Sequence, residues 1–164
     1  MEIVLIVIAV LVIGYTLFRP YVEKDGNKTD KSMNYKYFRK KYFMTAAERD
    51  FLKLLEEALA GEYYIFPQVH LSTILSHKVK GQNWKGAFSH INGKSVDFVL
   101  CDKQDIKPLV AIELDDSSHD SEARKKRDVT VEAIFEQAKV PLVRFSGLKG
   151  LDAQKVSTEL KRHL

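Results

Sequence analysis

Two short runs, SVDFVLC (95–101) and PLVAIEL (108–114), stand on either side of the link DKQDIK. Both are almost continuously apolar and rich in branched side chains. That predicts two strands covered on both faces, because a strand with one wet face would alternate polar and apolar residues. A link this short suits an antiparallel hairpin, since a parallel return needs a crossover of a dozen residues or more. Each run is interrupted by one acid, Asp97 in the first and Glu113 in the second. An ionised carboxylate inside a buried strand is costly to dehydrate, so Asp97, with SV before it and FVLC after, needs a partner.

The remaining elements arrange themselves around that pair. TAAE (45–48) is a capping-box pattern with Thr45 as N-cap and Glu48 at N3. Phe51, Leu52, Leu54, Leu55, Ala58 and Leu59 follow at helical spacing, and Gly61 ends the helix. YYIFPQVHL (63–71) reads as a strand that Pro67 restricts to an edge or a bend. LSTIL reads as a short helix, and 78–94, with its three glycines, shows no sustained period. Residues 121–139 form an amphipathic helix, VPLVRF (140–145) a strand, and LDAQKVSTELKRHL a closing helix. A strand that follows a helix suits a parallel crossover. The expected fold class is therefore α/β, a mixed sheet flanked by helices.

The amino terminus has a different composition. Residues 3–18, IVLIVIAVLVIGYTLF, carry no charge. As a helix they would span roughly 25 Å, near the short end for a bilayer crossing, and they are apolar all round. A cleaved signal peptide would show a basic start and a small-x-small cleavage site; here the start is Met1-Glu2 and the run ends in Leu17, Phe18 and Arg19. The expectation is an uncleaved transmembrane helix at 1–19, a basic and polar linker at 20–43, and one domain at 44–164. Arg19, Lys24, Lys28, Lys31, Lys36, Arg39, Lys40 and Lys41 follow the run and no Lys or Arg precedes it. By the positive-inside rule the domain faces the cytoplasm. The aromatic-basic segment YKYFRKKYF (35–43) has the chemistry to meet lipid headgroups or nucleic acid, or to pack on the domain.

Bulk numbers exclude little else. The formal net charge of +4 is too small to name a polyanionic partner, and a lysine-rich solvated surface gives the same value. The single cysteine, Cys101, excludes an intrachain disulfide and a cysteine-based zinc site.

The chemistry gathers at AIELDDSSHD (111–120). In an antiparallel hairpin Asp97 comes opposite residues 112–114, and Glu113 and Asp115 leave one face of their strand. Asp97, Glu113 and Asp115 converging at one sheet edge are hard oxygen donors of the kind that hold Mg²⁺ or Mn²⁺. The same words, a Glu-x-Asp followed by Asp-Ser-Ser, also describe a solvated turn whose Asp and Ser cap the next helix.

SVDFVLCD, LVAIELDDSSH, the RD at 127–128 and VPLVRF, in that order, resemble the bacterial domain-of-unknown-function 2726 family. That family is similar to the PD-(D/E)XK nuclease-like superfamily, near its very-short-patch-repair endonuclease-like branch, over roughly residues 42–164. The resemblance implies a restriction-endonuclease-like αβββαβ core and a metal-dependent nuclease acting on DNA. It implies that Asp97 and Glu113 are metal ligands and that Mg²⁺ or Mn²⁺ is the cofactor. Asp115 stands where the motif has lysine, Asp116 where related groups have glycine, and His119 where they have a histidine that serves as general base or phosphate contact. Lys94 or Lys125 is the candidate for the missing positive charge. Glu48 and Gln68 match auxiliary polar positions, against which stand a capping role for Glu48 and a surface role for Gln68. Arg124, Arg127 and Asp128 suit helix salt bridges or, for the arginines, phosphate contacts.

Three functions follow as expectations. The first is a nuclease on the bacterial inner membrane, single-pass, its domain in the cytoplasm, with Asp97, Glu113, Asp115 and His119 as catalytic residues. The second is a catalytically inactive nucleic-acid-binding module on the same fold. The third is an anchored protein-interaction module whose acidic turn is only surface.

Overall fold

A computed structural model of the chain describes residues 8, 12–16, 35–115 and 122–164, the side chains of 122–126 excepted. The chain divides into two compact units, residues 1–41 and Tyr42–Leu164. In the first, residues 12–16 are helical and 35–41 carry no regular element beyond a bend. Among the described residues no helix is long and apolar enough to cross a membrane. Most of the expected anchor at 1–19, and residues 20–34 of the expected linker, lie outside the described residues.

The second unit runs α1 (Ala46–Leu59), β1 (Tyr64–His70), α2 (Leu71–Ile74), α3 (Trp84–Ile91), β2 (Ser95–Cys101), β3 (Pro108–Leu114), α4 (Glu122–Ala138), β4 (Leu142–Phe145) and α5 (Ala153–Leu160). The strands form one sheet in the order β1-β2-β3-β4. The first three are antiparallel neighbours and β4 runs parallel to β3. The hairpin and the parallel return through α4 are thus both present, in a mixed α/β fold.

α1 forms where its cap dictates. Thr45 accepts from the Glu48 amide while the Glu48 carboxylate accepts from the Thr45 amide, the full reciprocal box. Ala60, in the left-handed region at φ 45°, and Gly61 at 76° turn the chain out of the helix. The helix lays Phe51, Leu55 and Leu59 on the sheet face that carries Phe98, Leu100, Ile112, Val143 and Phe145, and Val156 and Leu160 of α5 complete that layer. The Phe51 ring meets Phe98 edge-on at 5.7 Å and Phe145 at 5.1 Å.

The opposite face carries Val99, Cys101 and Ala111 under Val131 and Phe135 of α4, with Leu71 and Ile91 of α2 and α3 beside them. Helices therefore cover both sides of β2 and β3, which is why those strands carry no polar alternation. α3 is absent from the sequence-based expectation. Asn83 caps it by accepting from the Gly86 amide, and Ile91 anchors it in the core. β1 is an edge strand, as Pro67 requires, and Gln68 beside that proline sits at φ 53°.

Candidate functional site

Strand register builds the site. Phe98 pairs with Ile112 and Val99 with Ala111, so Asp97 falls level with Glu113. Glu113 pairs in turn with Arg144 on β4. Side-chain alternation puts Asp97 on the face of Val99 and Cys101, the face under α4. Asp97, Glu113 and Arg144 thus form one row across three adjacent strands. On β1 the flanking pairs, Pro67 with Phe98 and Val69 with Val96, put Gln68 level with Asp97.

Each member is held by backbone or by charge. Asp97 Oδ2 accepts from the Leu114 amide at 2.8 Å, a bond that ties β2 to the end of β3. Glu113 is 7% exposed and is the only buried polar or charged residue among those described. Arg144 Nη1 lies 2.8 Å from Glu113 Oε2 and donates to Asp115 Oδ1 at 3.2 Å. From α4, Glu132 Oε1 lies 3.2 Å from Arg144 Nε, and Asp128 Oδ1 lies 3.9 Å from Nη2. Asp128 and Glu132 are four apart and so share one helix face. Neither separation has hydrogen-bond geometry. The buried Nε and Nη2 have no hydrogen-bond partner among the described residues.

The electrostatics are those of acids short of counter-charge. Burial pushes the Asp97 carboxyl above the usual carboxylate range, with Glu48 and Asp115 adding to it and the Leu114 amide and Arg127 opposing. Burial also raises Glu113; Arg144 is the largest opposing influence, and Asp97 and Asp128 add to the rise. Arg127 contributes charge from the rim, where its Nη2 donates to the Ser95 carbonyl at 3.3 Å.

The auxiliary residues fall into two groups. Gln68 Nε2 donates to Glu48 Oε1 at 3.0 Å, while Glu48 Oε2 stays on the Thr45 amide. Glu48 therefore caps its helix and holds Gln68 at once. Lys94 is directed elsewhere: its Nζ donates to the His90 carbonyl at the end of α3. Among the described residues the positive charge in the row is Arg144. Its sequence signal is the one that marks Asp97, a lone charge in an apolar strand, here in VPLVRF. His119 and Asp116 lie outside the described residues, and so does the side chain of Lys125. Asp115 is half-exposed and accepts from the same Arg144 Nη1 that lies beside Glu113. Among the described residues no group of three or more His, Cys, Asp or Glu is arranged to hold a metal ion.

No curated protein and no solved structure matches this chain. A family model described as "Protein of unknown function (DUF2726)" matches residues 40–164. Its span begins next to the compact unit that opens at Tyr42 and takes in every residue of the row. The chain belongs to that DUF2726 family.

Proposed function

We propose that the domain is a metal-dependent, nuclease-like phosphodiesterase acting on DNA, with Asp97 and Glu113 as the residues that hold Mg²⁺ or Mn²⁺. In this reading residues 1–19 tether it to the bacterial inner membrane, with the domain in the cytoplasm. The observation that supports it is the pairing of two carboxylates, Glu113 buried and Asp97 partly so, level with one another on adjacent strands, at the sheet end where Gln68 and Arg144 also stand. Two carboxylates are a sufficient donor set for Mg²⁺, which takes most of its shell from water and substrate phosphate. A cation held by Asp97 and Glu113 would supply Lewis-acid polarisation of a phosphodiester.

The remaining work falls to the chain. Glu113 is oriented by its ion pair with Arg144, and Asp97 by the hydrogen bond it accepts from the Leu114 amide. Arg144 offers charge and planar donors to phosphate oxygens. His119 is the proposed proton acceptor. The Glu48–Gln68 pair lines the β1 side of Asp97.

Incubating the purified full chain with plasmid and linear DNA tests this. Cleavage is expected in Mg²⁺ or Mn²⁺ and not in chelator. Asp97→Ala should lower it by roughly a hundredfold or more, since losing groups that merely orient metal ligands already costs 10–100-fold. Failure to cleave in either metal, or cleavage indifferent to Asp97→Ala, rejects the reading. The Arg144 network favours a second one, in which the chain's own cation satisfies the site and the domain binds nucleic acid or a protein without turnover. DNA binding would then weaken steeply with salt and ignore chelator.

A further inference from the structure

We propose that Arg144 is an exchangeable counter-ion: its guanidinium and a divalent cation compete for the Glu113 carboxylate. This rests on the reading above in one respect, that Asp97 and Glu113 are the pair that receives the cation.

Arg144 is under-used as a donor and over-subscribed as a charge. One nitrogen, Nη1, serves both Glu113 and Asp115. The other two are buried beside Glu132 and Asp128 without hydrogen-bond geometry. Against the acids Asp97, Glu113, Asp115, Asp128 and Glu132, the described cations that bear on the row are Arg144 and Arg127. A buried guanidinium stripped of its only acid would be strongly unfavourable. Arg144 escapes that cost, because releasing Glu113 leaves it with Asp115, Asp128 and Glu132. Its planar fork has free positions to tighten onto them. Glu113 is then open to a cation on its Asp97 side, where a like charge and burial otherwise act against both carboxylates. Resident arginine and incoming metal thus neutralise one site by turns.

Calorimetric titration of the full chain with MnCl₂, without DNA, decides it. Arg144→Gln should bind Mn²⁺ about tenfold more tightly than the wild type, which corresponds to losing one close ion pair as competitor. Arg144→Lys, which keeps the charge, should stay within about threefold of the wild type. The double variant Asp97→Asn with Arg144→Gln should lose the gain. Equal or weaker binding by Arg144→Gln, or a gain that survives in the double variant, overturns the proposal. If Arg144→Gln melts early, Mn²⁺ should raise its melting temperature by more than that of the wild type; no such difference also overturns it. DNA cleavage is scored separately. Tighter Mn²⁺ binding without cleavage sinks the nuclease reading and leaves the exchange standing. Cleavage with unchanged Mn²⁺ affinity does the reverse.

Discussion

At the scale of single residues, Asp97 carries a cost that a stability measurement can expose. Its carboxyl is raised by burial, so the folded chain holds that proton more tightly than the unfolded chain does. The sign follows from linkage. The contribution is fully present below the unfolded value, is lost as pH rises through the folded one, and at neutral pH leaves an ionised group the fold would rather not have. Asp97→Asn keeps an acceptor for the Leu114 amide and removes the charge. We expect it to be stabilising at neutral pH by about 1 kcal/mol, a few degrees in Tm, the usual direction when a functional charge is removed. The gain should shrink as pH falls towards the carboxyl range. Melting curves from about pH 8 down to about pH 4 check it, and a gain that grows in acid refutes the assignment. Asp97 and Glu113 were legible because each is a charge in an apolar strand. Arg144 carries the same mark, yet its meeting with Asp115 across 29 positions depends on strand order, which no local pattern encodes.

At the scale of elements, α1 links capping to the site. Glu48 divides its oxygens between the Thr45 amide and Gln68, so the helix start and the β1 edge of the row are one hydrogen-bonded unit. Thr45→Ala should cost about 1 kcal/mol, the ordinary price of an N-cap, read as a lower urea midpoint with an unchanged slope. A slope that falls as well would mean that more than the cap has loosened. Most elements were legible because their period or their caps were. α3 was not, for a physical reason. It is only eight residues long and contains Gly86, with Gly81 and Gly93 flanking it, so its intrinsic preference is weak. What sustains it is the Asn83 cap and the burial of Ile91 against the sheet, and burial is tertiary. The left-handed backbone at Gln68 was equally unreadable, because it belongs to the edge beside Pro67 and not to any preference of glutamine.

At the scale of the whole chain, the division at Tyr42 separates two compact units, and the second holds the whole sheet. Both sheet faces of the second unit are covered by its own helices, α1 and α5 on one side and α2, α3 and α4 on the other. The residues described in those two layers all come from Met44 onward. Just ahead of Tyr42, Tyr37 and Phe38 are 85% and 88% exposed, among Lys36, Arg39 and Lys40 in backbone without regular structure. Exposed irregular chain with basic residues is where trypsin cuts first. Brief digestion of the full chain should therefore cleave within 36–41 and leave a resistant fragment ending at Leu164. That fragment should melt within about 2 °C of the intact chain, since a shift of that size corresponds to well under 1 kcal/mol in a domain of this length. It should also keep the Mn²⁺ response that Arg144→Gln produces, because Asp97, Glu113, Arg144 and the α4 acids all lie inside it. A fragment that melts much earlier would show that residues before Tyr42 contribute to the core and that the division at Tyr42 is not one of stability.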